Sequence, residues 1–365
     1  MSRPVKLMLG VGYVVLLLVL FRGIKALEGR VRQGYYTHVT RRMVTETSKL
    51  PPERCVLGVY KPELPYSFDP MERLEDSLNL RFTLVSFYQA WGDEPHHRFK
   101  PALMDRIVEQ GCVPVVTWEP WVSQFSREDL EPMPRREYRS LADIADGVYD
   151  FHIGAWARAA VGWGKPFFLR FAHEMTNPQY PWSPGYGNRP EDYRRAWWHV
   201  REVFDSLGAH NVIWVWCPYG TDVLEYYPGD GQVDWVAMDV FNYGELLSGE
   251  REIWLSFDQL ASPLYRELAG LRKPIMVAEV GSGDIGGSRA VWYREMLTQI
   301  RKKFTLVKAV VLFDNPADRT SGRFTIDWSI DSDRDVLREM RSVLDGGYYV
   351  YQRDYLETLS KHEAN

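Results

Sequence analysis

Cysteine is scarce in this chain: Cys55, Cys112 and Cys217 are the three among 365 residues. An odd set without ligand-type spacing excludes a disulfide framework and a zinc module. Each lies in or beside an apolar, strand-like run, so they read as buried free thiols. A basic surplus is also lacking, with 44 Lys+Arg against 49 Asp+Glu and a net charge of -5. That balance argues against a nucleic-acid partner, which needs a positive field for the phosphates. The chain has no Gly-x-Ser-x-Gly elbow and no Walker loop, which removes α/β serine hydrolases and P-loop enzymes. No internal repeat or low-complexity tract divides it. His173-Glu174 would need a second His at position 177 to read as a zinc-protease motif; Asn177 stands there, so no metal is expected. The turn Gly281-Ser282-Gly283-Asp284-Ile285-Gly286 has the form of a dinucleotide fingerprint. It lacks an opening βαβ unit and the acid about 20 residues further on, so no cofactor is expected.

One long apolar run stands at the start. Leu7 to Phe21 is fifteen uncharged residues between Arg3 and Lys6 on one side and Arg22 and Lys25 on the other. It falls short of the ~20 residues that span a bilayer, though basic flanks can snorkel. No small-x-small cleavage site follows, so residues 1–27 read as an uncleaved membrane-anchor helix. Residues 28–50 are polar and basic and read as a stalk. The remainder, 51–365, reads as one domain acting as a monomer.

Aromatic residues are abundant: Trp 14, Tyr 21 and Phe 16 make 14% of the chain. Many fall in short apolar runs at Val56–Tyr60, Phe82–Tyr88, Val113–Trp118, Phe167–Ala172, Val212–Cys217, Trp235–Val240, Pro274–Glu279 and Val307–Phe313. Helical patterns separate most of them, at Lys100–Gln110, Leu141–Val161, Glu191–Leu207, Phe257–Leu271 and Gly287–Lys303. Continuous apolar strands alternating with helices indicate a parallel sheet covered on both faces. Eight such units predict an α/β fold of the (β/α)8 TIM-barrel type.

In such a barrel the strand ends carry the chemistry. Glu174 and Glu279 end the fourth and seventh runs, 105 residues apart. Facing one mouth, they are a candidate acid and nucleophile for retaining glycoside hydrolysis. Glu174, after His173 and amid apolar groups, suits the acid; Glu279, before Gly281 and Gly283, leaves room for a sugar ring. The competing reading makes both glutamates structural ion-pair partners of Arg170 or another barrel arginine. Trp118, Trp182 and Trp216, at or beyond strand ends, are candidate sugar-stacking rings. Trp214 and Trp235, inside strands, read as core.

The stretch Arg170-Phe171-Ala172-His173-Glu174-Met175, closing with Tyr180-Pro181-Trp182, resembles the acid/base motif of glycoside hydrolase family 26. Lys273-Pro274-Ile275-Met276-Val277-Ala278-Glu279-Val280-Gly281 resembles its nucleophile strand, and Phe324-Thr325-Ile326-Asp327-Trp328 its segment after the eighth strand. That resemblance, over roughly residues 55 to 345, implies a (β/α)8 barrel and retention of configuration. It implies Glu174 as acid/base and Glu279 as nucleophile, with Arg170, His173, Asn177 and Tyr243 beside the tryptophans at the substrate. The family includes endo-β-mannanases, β-1,3-1,4-glucanases and β-1,3-xylanases, so the expected partner is a β-linked polysaccharide or related bacterial exopolysaccharide. Here Thr176-Asn177-Pro178 replaces the usual Asn-Gly, Gln179 holds a position commonly Trp, and Phe241 holds that of a tyrosine. Those departures leave a second reading, a non-catalytic carbohydrate-binding barrel in an exopolysaccharide synthesis complex. Because a polymer does not readily reach a cytoplasmic domain, the barrel is expected outside the membrane, anchored or secreted.

Overall fold

The computed structural model of the protein describes residues 54–133, 135–246, 254–320 and 325–350. The strands are β1 (Cys55–Tyr60), β2 (Leu84–Ala90), β3 (Val113–Glu119), β4 (Phe167–Phe171), β5 (Val212–Trp216), β6 (Trp235–Asn242), β7 (Ile275–Ser282), β8 (Val307–Phe313) and the two-residue β9 (Tyr349–Val350). The helices are α1 (Asp69–Leu78), α2 (Pro101–Glu109), α3 (Ser140–Ala145), α4 (Asp150–Trp163), α5 (Pro190–Ser206), α6 (Phe257–Gly270), α7 (Arg289–Lys302) and α8 (Arg334–Leu344). Strands β1 to β8 pair in parallel, each with the next, and β1 pairs with both β2 and β8, so the barrel closes. β9 joins β1 at Cys55 and Val56, below the point where β2 begins to pair.

All eight expected strands form, within two residues at most ends. The helix expected at Leu141–Val161 is two, α3 and α4. The break contains Gly147 at φ +83, a left-handed conformation that L side chains avoid. Sequence periodicity alone missed α1 and α8. Ser256 starts α6 by accepting from the Gln259 amide, and Asp333 starts α8 by accepting from Asp335 and Val336. The expected anchor at 1–27 and stalk at 28–50 lie outside the described residues. Among the described residues no helix is long and apolar enough to cross a membrane.

Strand alternation sorts side chains between two cores. Val56, Leu84, Val115, Phe168, Val215, Ala237, Met276 and Val311 point inward and fill the barrel, while Leu57, Val85, Val116 and Leu169 point out against the helices. The alternation breaks once where it matters. Met238 pairs with Val277, but Asp239 pairs with Glu279, so Ala278 is an extra residue in β7. Such a bulge re-aims the next side chain, and it brings Glu279 beside Asp239.

Candidate active site

The site is built on the C-terminal strand ends around one cation. Arg170 of β4 is fully buried. Its guanidinium donates to both oxygens of Asp239 at 2.9 and 2.8 Å, to Thr117 Oγ1 at 3.0 and 2.7 Å, and to Glu279 Oε1. Burial disfavours its charge, but Asp239 and then Glu279 outweigh that and hold the pKa up. The ion-pair reading and the catalytic reading of Glu279 therefore describe the same contact. A planar fork with fixed donors suits such bidentate work.

Tyr88 of β2 donates its hydroxyl to the same Glu279 Oε1, at 2.5 Å. Both donors hold Oε1, and among the described residues Oε2 takes no hydrogen bond. Sequence reasoning missed Tyr88 and sought a tyrosine on β6 instead. There Phe241 packs edge-on to Phe313 and against Trp328, in an aromatic wall that also includes Tyr243. The available signal was the inward register of β2, where Tyr88 shares the phase of Leu84 and Ser86.

Glu174 sits on a tight turn beyond β4. Ala172 and Glu174 have φ of +43 and +49, a region costly to residues with a Cβ and frequent at functional sites. The Glu174 amide donates to the Cys217 carbonyl at 2.7 Å, and Asn177 Nδ2 donates to Glu174 Oε2 at 2.7 Å. Asn177 is thus placed on the acid itself. Burial first, and repulsion from Glu279 second, push the Glu174 carboxyl up to about 7. Asp239 lies close enough for the two charges to interact, and its own carboxyl is raised chiefly by burial. Neighbouring buried carboxyls disfavour double ionisation, so the pair favours keeping a proton.

His173 is buried and held neutral, its pKa lowered by burial and by Arg170. Its Nε2 meets the Tyr180 hydroxyl at 3.0 Å. Tyr180 stacks on Trp182 with centroids 4.5 Å apart at 10°. The Trp182 indole donates to the His173 carbonyl at 2.7 Å.

Burial corrects the three tryptophan assignments. Trp118 and Trp216 are 0% exposed and Trp182 is 1%. Trp118 lies between the inward Thr117 and Glu119, so alternation turns it out onto Trp91 and Trp156, at 4.7 and 4.9 Å. Trp216 likewise points out, edge-on to Tyr227 at 5.1 Å. Trp182 is covered by Tyr180. None offers a free face to a sugar. The rings that keep exposure at the mouth include Trp121, Tyr180 and Tyr243, half-buried like Tyr60, Tyr88 and Phe241, and Tyr219, 48% exposed. A strand-end tryptophan reads identically in sequence whether it points in or out, which explains the error for Trp118 and Trp216; Trp182 lies in a loop and is buried by Tyr180.

No group of three or more metal-binding side chains occurs among the described residues. The arrangement can polarise, protonate and attack. It has a glutamic acid, Glu174, raised to about 7, a second glutamate, Glu279, oriented by two donors, and aromatic walls around both. Fold and site together define a (β/α)8 barrel of the glycoside hydrolase class.

Comparison with known proteins agrees and narrows the class. Residues 152–322 match the family model Glycosyl hydrolase family 26. Endoglucanase H of Acetivibrio thermocellus is 34% identical over 252 residues, 67% of this chain and 25% of that protein. Beta-1,3-xylanase TXYA of a Vibrio species is 32% identical over 108 residues, 28% of this chain and 22% of that protein. The chain therefore spans about a quarter of the length of these relatives. A GH26 β-mannanase structure from Bacteroides ovatus superimposes with a TM-score of 0.64 at 15% identity, covering 86% of this chain and 94% of that one. At that identity the likeness concerns the fold. Residues 152–322, which carry Glu174 and Glu279, are the part of the chain that matches glycosyl hydrolase family 26.

Proposed function

We propose that the protein is a retaining endo-β-glycosidase in which Glu174 is the acid/base and Glu279 the nucleophile. One observation carries the reading: two strand-end carboxyls share a mouth in opposed environments. Glu174 is desolvated and protonated near neutrality, whereas Glu279 is anchored through Oε1 by Arg170 and Tyr88. Oε2 of Glu279 attacks the anomeric carbon as the bond to the leaving oxygen breaks, and Glu174 transfers its proton to that oxygen. The resulting glycosyl ester is resolved by water. Glu174, now a carboxylate, takes the water proton, and Glu279 departs. Asn177, an amide donor, holds the acid in place through both halves.

The substrate is a β-linked polysaccharide. The longer alignment, to a protein named Endoglucanase H, favours a β-glucan, with β-mannan and a related bacterial exopolysaccharide next. Incubation of the purified chain with mixed-linkage β-glucan, β-mannan, β-1,3-xylan and cellulose, read by product size, tests this. Absence of turnover on all four would leave the non-catalytic binding barrel. A 2-fluoro glycoside should leave a covalent adduct on Glu279; an adduct elsewhere defeats the assignment. The barrel is placed outside the membrane, anchored by residues 1–27, and protection from added protease in intact cells would refute that placement.

Two outcomes follow from the geometry. Activity on glycans should fall as pH rises through about 7, because the raised Glu174 then loses the proton that it must donate. Glu174→Ala should abolish this limb for substrates with activated aryl leaving groups, since these need no proton; a limb that persists assigns it to another group. Tyr88→Phe should lower kcat roughly tenfold with little change in KM, the effect of losing one hydrogen bond to a charged group. An unchanged kcat would show that Arg170 alone orients Glu279.

A further inference from the structure

The mouth holds a third strand-end glutamate that the mechanism above does not use. Glu119 closes β3 and shares the inward phase of Val115 and Thr117. Its carbonyl is fixed by the amides of Trp91 and Trp121, each at 2.8 Å. Its side chain is half-buried, and the Trp121 indole, two residues on, hydrogen bonds the carboxyl. Trp121 in turn packs edge-on to Trp182 at 5.4 Å and to Tyr180 at 6.2 Å, which ties Glu119 to the wall behind His173.

The carboxyls of this site differ in how far they are satisfied. Asp239 takes Arg170 in a two-pronged contact and also Cys217. Glu279 takes two donors, and Glu174 takes Asn177. Glu119 has the Trp121 indole, while a carboxylate offers about four acceptor positions. A desolvated carboxyl with unused acceptors at a cleft floor needs donors, and ring hydroxyls are donors. Burial raises it to about 7, and Glu279 adds to the rise.

Its place in the cleft follows from the strand order. β3 pairs with β4, the strand that leads into Glu174, and faces β7, which carries Glu279, across the barrel. Tyr60 on β1 senses the charges of Glu279 and Glu119, and Tyr180 beyond β4 senses those of Glu174, Glu119 and Glu279, so the three carboxyls share one mouth. The geometry points to Glu119 as a binding carboxylate that reads sugar hydroxyls in the cleft beside Glu174 and Glu279. This rests on the glycosidase reading for the sugar in the cleft, but its test needs no turnover.

The test is calorimetric titration of the full chain carrying Glu279→Ala with β-1,4-mannohexaose and with a mixed-linkage β-glucan oligosaccharide. Adding Glu119→Gln to that background should weaken binding of the better ligand by about tenfold, the scale of a hydrogen bond to a charged group. The melting temperature should stay unchanged, which separates a ligand contact from a structural one. In the otherwise unmutated enzyme Glu119→Gln should raise KM more than it lowers kcat. Equal affinity with and without Glu119→Gln overturns the inference while leaving the glycosidase reading intact. Absence of binding to either oligosaccharide by the Glu279→Ala chain also overturns it. Turnover by the unmutated chain decides the glycosidase reading separately.

Discussion

Glu279→Ala should reduce glycan hydrolysis by about 10⁴-fold or more, equivalent to about 5 kcal/mol of transition-state stabilisation. Removing the carboxylate removes the atom that forms the covalent intermediate, and water cannot use the geometry prepared for Oε2. The fold should survive, since Glu279 ends its strand at the mouth and its side chain keeps 9% exposure. Its loss also leaves Arg170 with Asp239 as a sufficient partner. Steady-state rates on the best glycan and a far-ultraviolet circular dichroism melt check both halves. A variant that is well folded and retains more than about a hundredth of the wild-type rate removes Glu279 from the nucleophile role.

Arg170→Met should act mainly on stability. Arg170 and Asp239 side chains are each 1% exposed, so the substitution strands Asp239 as an uncompensated charge in the barrel. Breaking one side of such a buried pair costs about 3–5 kcal/mol, to be read as a lower urea midpoint. The pH dependence has a definite sign. Burial already raises the Asp239 pKa, and without Arg170 the chief opposing influence is gone, leaving only the Cys217 thiol. A group whose folded pKa exceeds its unfolded one stabilises most below the unfolded value, and that stability fades as pH rises through the folded value. The variant should therefore lose less stability relative to wild type at about pH 4 than at about pH 7. An equal deficit at both pH values would mean that lost packing, not stranded charge, is the cause. Activity should fall as well, because Glu279 loses one of the two donors on Oε1.

The same two residues show where sequence and structure part. Arg170, His173, Glu174 and Glu279 could be picked out from strand ends, because an apolar run interrupted by charge is a local signal that buried polarity is being tolerated for a reason. Which contacts they make was not local. The choice between ion pair and catalysis for Glu279 dissolved only when Arg170 was seen bridging Asp239 and Glu279.

Tyr88 illustrates a second limit. It lies 191 residues from Glu279 in sequence, and only closure of the barrel between β1, β2 and β8 brings β2 across from β7. The bulge at Ala278 sets the aim of Glu279, and neither propensity nor pattern marks an extra residue in an all-buried strand. Trp118 and Trp216 were misplaced for a related reason. A strand buried on both faces has no polar phase to show which residues look inward.

By itself, then, the sequence determined the alternation of eight apolar strands with helices, hence the barrel, and the strand ends that would carry charge. Hydrophobic burial acts on local patterns, and those patterns are written along the chain. The tertiary structure decided which oxygen of Glu279 stays free, which carboxyl keeps its proton, and which aromatic rings face the cleft. Those properties depend on desolvation and on charges brought together from distant strands, and such fields exist only once the barrel has closed.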